Sequence, residues 1–260
     1  MAISRGFTSA SVQEVGPIEP MKEIQAVARR LAGQPPLAVL EWAVERFSPR
    51  LVLATAFGAE GCAIIDMIAR RRLAVDLVTL DTGLFFPETL ELWRRLEARY
   101  GVTVRAVRPA LDLERQAAAH GAALWERDPG RCCGLRKVEP LRRELGRHDA
   151  WISAIRGEQT PDRAAAQVVE WDARFGLVKV NPLLGWSADE VWRYIRAHGV
   201  PTNPLHEVGY PSIGCWPCTS PVRAGEDPRA GRWRGLGKTE CGLHLRSGAT
   251  AIAGVAGGGS

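Results

Sequence analysis

At 260 residues, with 46% apolar and 24% charged residues, the chain has an ordinary globular balance and lies near the upper size for one hydrophobic core. The formal net charge of +5 comes mostly from arginine, without the interleaved basic and aromatic residues of nucleic-acid binders, so no nucleic-acid partner is expected. No stretch approaches the roughly 20 apolar residues of a membrane span, and the N-terminus lacks the apolar run of a secretory signal, so a cytoplasmic protein with reduced thiols is expected.

Residues 1–20 carry Gly, Pro and Ser without periodicity and read as a flexible arm. Helical patterns follow at about 22–32 and 37–47. Leu51-Val-Leu-Ala-Thr55 is the first strand, and a helix is expected at about 59–72. Val75–Leu80 is the second strand, with a helix at about 87–100. Val102–Val107 is the third strand, with a helix near 111–121. Trp151–Ile155 and Val178–Val180 read as further strands, and 187–198 as a helix. Strands alternating with helices predict an α/β fold, a mostly parallel twisted sheet with helices on both faces, over 21–202. Ligands in such folds bind beyond the carboxyl ends of the strands. From 203 to 246 Pro, Gly and Cys are frequent and no periodic pattern persists, so this segment needs a tether other than a core. Residues 247–260 are a Gly-rich tail expected to be disordered.

The first strand runs into Thr55-Ala-Phe-Gly-Ala-Glu-Gly61 and a helix. A Gly-containing turn there lets backbone N–H groups approach an anion at the positive end of the helix. It has neither the Gly-Lys-Ser/Thr of a Walker A loop nor GxGxxG. The second strand ends in Leu80-Asp-Thr-Gly83, placing Asp81 and Thr82 where a ligand crevice belongs. Either residue can equally cap the turn, with Pro87 opening the next helix.

Five of the six cysteines carry the chemistry. Cys132 and Cys133 are adjacent, Cys215 and Cys218 form a C-x₂-C pair, Cys241 stands alone in Lys238-Thr-Glu-Cys-Gly-Leu-His244, and Cys62 lies among apolar helix residues as a small buried side chain. Four thiolates in two pairs suit a metal centre. Adjacent thiolates favour a multi-iron core over a single zinc ion, with zinc and an unligated redox pair as the alternatives. Cys241 has Lys238 close by, and cationic neighbours raise the thiolate fraction. It reads as a nucleophile near a mobile end, or else as an incidental exposed thiol.

Five segments together resemble the iron–sulfur type of assimilatory adenylyl-sulfate (APS) reductase within the PAPS/APS reductase family. They are Phe57-Gly-Ala-Glu60, Leu80-Asp-Thr-Gly83 with Phe86-Pro-Glu-Thr89, Cys132-Cys-Gly-Leu-Arg-Lys137, Gly209-Tyr-Pro-Ser-Ile-Gly-Cys-Trp-Pro-Cys218 and Lys238–His244. The resemblance implies an adenine-nucleotide α-hydrolase-like fold and a [4Fe–4S] cluster on Cys132, Cys133, Cys215 and Cys218. It implies Cys241 as the nucleophile that takes up the sulfo group of APS, and thioredoxin as the reductant that frees sulfite in cysteine biosynthesis. Lys137 would link cluster and substrate electrostatically, and Arg229 and Arg232 would contact the phosphosulfate. Arg156, Gln159 and Arg163 match the family's segment after the fourth strand. Phe57, Gly58, Glu60, Leu80, Asp81, Thr82, Gly83 and His244 complete the implied substrate contacts.

The chain departs from the family at Gly61, where Asp is common, and at Gly157, where some members carry a second arginine. Reductases selective for 3′-phospho-APS (PAPS) commonly lack the cluster cysteines, so the four present here favour APS; a PAPS or dual enzyme is the alternative. ATP pyrophosphatases of the same fold need a Ser-Gly-Gly-x-Asp-Ser loop that Thr55–Glu60 does not supply. A non-enzymatic zinc or iron–sulfur binding module is the third class.

Overall fold

Short apolar runs bounded by glycine and proline become the strands of one sheet, and the amphipathic stretches between them cover its faces. The computed structural model describes residues 20–244, so the expected N-terminal arm and Gly-rich tail lie outside the described residues. In chain order the elements are α1 (Pro20–Leu31), α2 (Pro36–Phe47), β1 (Leu51–Thr55), α3 (Ala59–Arg71), β2 (Asp76–Leu80), α4 (Pro87–Tyr100), β3 (Arg105–Val107) and α5 (Leu113–His120). The short helices α6 (Leu124–Arg127) and α7 (Pro129–Cys133) follow. A π-helical turn (Gly134–Val138) runs from α7 into α8 (Glu139–Leu145). Then come β4 (Ala150–Ile152), α9 (Pro161–Ala164), β5 (Val169–Asp172), β6 (Leu177–Val180) and α10 (Ala188–His198).

The six strands lie in the order β3-β2-β1-β4-β6-β5. All neighbours are parallel except β5, which pairs antiparallel with β6 at the edge. The order turns back at β1, so the crevice beyond the carboxyl ends of β1 and β4 is where a ligand belongs. Side chains alternate across the sheet. Leu51 and Leu53 pack into the larger core with α2, α3 and α4, whereas Val52 joins Val78, Trp151, Leu141 and Leu145 on the opposite face. Within the larger core, the buried Asp66 of α3 accepts from Tyr100 Oη of α4 at 2.8 Å and Tyr194 Oη of α10 at 2.6 Å. That pair of bonds ties three helices together and satisfies a carboxylate that burial would otherwise penalise.

The structure differs from the sequence reading at several elements. β3 is three residues long because Val104 donates its N–H to the Glu97 carboxylate at 2.8 Å instead of to the ladder. α5 starts only at Leu113, capped by Asp112, which accepts from Arg115 N–H at 2.8 Å. The edge strand β5 and the helices α6 to α8 carry no strong periodicity and were not expected. Residues 203–244 contain two 3₁₀ turns, Pro204–Val208 and Trp216–Cys218, and one isolated bridge between Thr219 and Arg232. No helix among the described residues is long and apolar enough to cross a membrane.

Candidate active site

β1 delivers the chain into Thr55–Gly58, where Phe57 adopts φ +57° and donates its N–H to Thr55 Oγ1 at 3.1 Å. This left-handed turn points the Phe57 ring into the core, stacked on Trp93 with centroids 5.5 Å apart. The turn leaves Gly58 and Glu60 facing a cavity of about 510 Å³, the size class of a nucleotide-scale ligand. Glycine at 61, one of the two departures noted in the sequence, has a local cause. A Cβ at Gly61 would collide with Thr55 Oγ1, the atom that holds the turn.

The expected substrate residues divide into two groups. Gly58, Glu60, Leu80, Lys137, Arg156, Gln159, Arg163, Arg229, Arg232, Cys241 and His244 all line the large cavity. Phe57, Asp81, Thr82 and Gly83 do not. Asp81 instead accepts from Gly83 N–H at 3.1 Å and pairs with Arg108 at 3.0 Å, the capping role that the sequence also allowed. Thr82 is fully buried beside the cysteines, its Oγ1 3.4 Å from Cys215 Sγ. Gly83 has φ +69°, which lets the chain turn around the buried Arg136. Arg136 donates to Thr82 O at 2.6 Å and to Gln116 Oε1 at 2.9 Å.

Cys132, Cys133, Cys215 and Cys218 converge on one small cavity, with Arg136, Lys137 and Trp233 in its wall. All four are free thiols. Burial pushes Cys132 up to about 11 and Cys133 up to about 12. Burial also pushes Cys215 up, but Lys137, the Thr82 hydroxyl and Arg232 outweigh it and hold Cys215 below its ordinary value. Burial works against the Lys137 ammonium, yet the sulfurs of Cys215, Cys241 and Cys133 more than offset this and keep it charged. Lys137 therefore stands between the four-cysteine cavity and Cys241, and lines both cavities.

The remaining cations are not equivalent. Arg156 is tied to Glu60 at 2.7 Å and to Glu158 by a close contact, and Gln159 Nε2 donates to the same Glu60 oxygen at 3.0 Å. Gly157 donates its N–H to Leu184 O at 2.8 Å, and a Cβ there would stand 3.1 Å from that carbonyl. A bulkier residue at this position would crowd the pairing. Arg163 is tied to Glu240 at 2.7 Å, and Arg229 lies 3.5 Å from the same carboxylate. Arg232 stacks over Trp233 at 4.5 Å and crosses Gly214, where a Cβ would block it. Neither Lys137 nor Arg232 has a carboxylate within ion-pair distance among the described residues. They are the cations left to meet an anionic ligand.

Glu240 and Glu158 escaped the sequence reading, since a carboxylate is not expected in an anion site. The only signal for Glu240 was its place beside Cys241. Trp151 was also missed as a site residue: His244 stacks on its ring at 5.9 Å with an interplanar angle of 8°.

Burial first, and then Arg163, Lys179, Arg229 and Arg174 around it, hold His244 well below its ordinary value of 6.5, so the folded protein keeps it neutral. The unfolded chain binds a proton there as pH falls through 6.5 and the folded chain does not, so stability is fully present above that pH and declines below it. His206, also lowered by burial, adds to the same slope. One such proton corresponds to up to about 1.4 kcal/mol per pH unit. Urea midpoints measured from about pH 7.5 down to 5 should fall in the wild type and fall less steeply in His244→Phe. Identical slopes would contradict the neutral state.

A parallel-sheet nucleotide-type fold, with an arginine-lined cavity and a thiol at its strand ends, defines the class of protein. The chain has the adenine-nucleotide α-hydrolase-like fold. Residues 50–221 match the phosphoadenosine phosphosulfate reductase domain, and the chain belongs to that family. It is 49% identical over 209 residues to adenosine 5′-phosphosulfate reductase 1 of Bacillus subtilis, covering 80% of this chain and 90% of that one. It is 46% identical over 224 residues to a phosphoadenosine 5′-phosphosulfate reductase of Gloeobacter violaceus, covering 85% and 93%. Among solved structures, the phosphate complex of a phosphoadenylyl-sulfate reductase from Candida auris superposes with a TM-score of 0.68 at 36% identity, covering 84% of this chain and all of that one. An FMN adenylyltransferase of Candida glabrata, 15% identical with a TM-score of 0.53 and covering 80% of this chain and 68% of that one, shares the fold.

Proposed function

We infer that this protein reduces adenosine 5′-phosphosulfate to sulfite and AMP, with Cys241 as the nucleophile and thioredoxin as the electron donor. The observation that carries the reading is the placement of Cys241 on a nucleotide-sized cavity together with Lys137 and Arg232, the two cations among the described residues lining it that have no carboxylate within ion-pair distance. The nucleophile is a thiolate and the substrate a polyanion, and cations aimed at the reacting group offset their repulsion.

The Cys241 thiolate attacks the terminal sulfur of APS. A Cys241 Sγ–S bond forms, the bond from that sulfur to the phosphate oxygen breaks, and AMP leaves with the electron pair. Arg232 and Lys137 bind the negative oxygens, and His244 and Trp151 wall the site near the nucleophile. A thiolate of thioredoxin then attacks Cys241 Sγ, releasing sulfite and forming a mixed disulfide. The second thiol of thioredoxin resolves it and returns Cys241 as a thiolate.

The residues around the small cavity suit a [4Fe–4S] cluster. Four free thiols from two distant segments converge there, Thr82 offers a hydroxyl at Cys215 Sγ, and Arg136 and Lys137 supply compensating charge. When bound, such a cluster supplies a compact charge centre that holds Lys137 and the C-terminal segment in place.

Purified protein given APS and reduced thioredoxin is expected to form sulfite and AMP in equal amounts. Because relatives named for APS and for PAPS match at similar identity, the two nucleotides should be compared in competition. A strong preference for PAPS would overturn the substrate assignment, and absence of sulfite from both would overturn the reaction.

A further inference from the structure

The residue before the nucleophile is built into the anion site. Glu240 has a side chain 1% exposed. Arg163 forks onto it, Nε to Oε1 at 2.7 Å and Nη2 to Oε2 at 3.0 Å. The Thr160 hydroxyl donates to Oε1 at 3.3 Å, and Arg229 Nη2 lies 3.5 Å from Oε2. Arg229 also donates to the Thr239 carbonyl at 2.8 Å. A carboxylate this deeply buried is stable only when paired and hydrogen-bonded, and both conditions are met here. Beyond the nucleophile, Arg174 donates to the Gly242 carbonyl. Cys241 is thus suspended between two arginine-held anchor points.

Its own chemistry requires two positions of that thiol. It must face the cavity to meet a bound nucleotide, and it must then meet the thiol of a second protein, which cannot enter a cavity of about 510 Å³. The Glu240 carboxylate grips the segment through Arg163 and Arg229, and both arginines line the cavity. The grip on the segment and the anion site are therefore built from the same guanidinium groups.

We propose that Glu240 is a positioning residue that latches the 239–244 segment through Arg163 and Arg229, presenting Cys241 to the cavity while the ion pair is closed and to the solvent when it opens. This rests on the assignment of Cys241 as nucleophile. The latch favours sulfo transfer to Cys241 and opposes attack by the external thiol. A change that only damaged the fold would slow both steps; loss of a latch separates them.

The test is Glu240→Gln, which keeps shape and loses charge. Three quantities are measured: the rate of alkylation at the Cys241 peptide by iodoacetamide without nucleotide, the single-turnover rate of Cys241 S-sulfonation by APS, and the rate at which reduced thioredoxin clears the S-sulfonated form. Opening of a buried ion pair should raise alkylation about tenfold or more and lower S-sulfonation by a similar factor, while clearance is unchanged or faster. Glu240→Asp, which keeps the charge on a shorter stem, should lie between, and serves if the Gln variant does not fold. Alkylation and S-sulfonation within twofold of wild type, or a parallel fall in S-sulfonation and clearance, would overturn the latch. The alkylation readout needs no turnover, so a wild type that makes no sulfite would defeat the functional assignment while the alkylation ratio still decides the latch.

Discussion

Cys241→Ser is expected to abolish sulfite formation while leaving nucleotide binding and the metal content of the four-cysteine site at wild-type levels. A serine hydroxyl is almost isosteric with the thiol but is a weak nucleophile at neutral pH, and among the described residues no hydrogen bond joins the side chain at 241 to a base that would activate it. Lys137, on the same cavity, is held charged and has no lone pair to accept a proton. Loss of the only nucleophile in a covalent mechanism removes on the order of 10³-fold or more of the rate. Cys241 lines the nucleotide cavity but not the small cavity formed by Cys132, Cys133, Cys215 and Cys218, so iron content and AMP affinity should not move. Sulfite release, iron analysis and AMP titration on the same preparation check all three. Retained turnover would remove Cys241 from the mechanism.

Cys215→Ala has the second largest expected effect, and its signature is different. Cys215 lines both cavities, lies 3.4 Å from Thr82 Oγ1, and precedes Trp216, whose N–H donates to Leu84 O at 2.9 Å. Among residues 203–244 the regular structure amounts to two 3₁₀ turns and one isolated bridge. With the proposed cluster on Cys215 and Cys218, binding energy at the centre would also be folding energy for this segment. The variant should lose iron and sulfide, lose activity, and become sensitive to proteolysis between about residues 209 and 236 while the sheet domain persists. Iron and sulfide analysis, visible absorbance and limited proteolysis are the measurements. Stoichiometric zinc in the wild type, or iron and turnover retained in the variant, would contradict the [4Fe–4S] assignment.

The sheet and its main helices were legible because they depend on local signals. α4 begins at Pro87 and α10 is opened by Ser187 and Glu190 in a capping box. Each is visible in a window of a few residues. β5 was not legible, since an edge strand needs only one face and its four residues carry little pattern. The helical path through Cys132 and Cys133 includes a π turn, which no periodicity announces. Convergence of the two cysteine pairs could be inferred only from thiolate chemistry, because the contact is long-range. Phe57 and Asp81 sit in motifs near the site, yet the positive-φ turn sends one into the core and Arg108 holds the other. Motif position showed the neighbourhood, and backbone geometry decided which side chains face the cavity. The role of Glu240 was hidden for an electrostatic reason: only the folded structure reveals that two of the expected anion-binding arginines already hold a carboxylate.

The most direct test is a mass measurement on intact protein mixed with APS in the absence of any reductant. The account predicts that the chain gains one SO₃ group, that AMP appears in equal amount, that fragmentation places the group on Cys241, and that reduced thioredoxin removes it as sulfite. A protein that stays unmodified while AMP and sulfite form on addition of thioredoxin, or that carries the group on another cysteine, would contradict it.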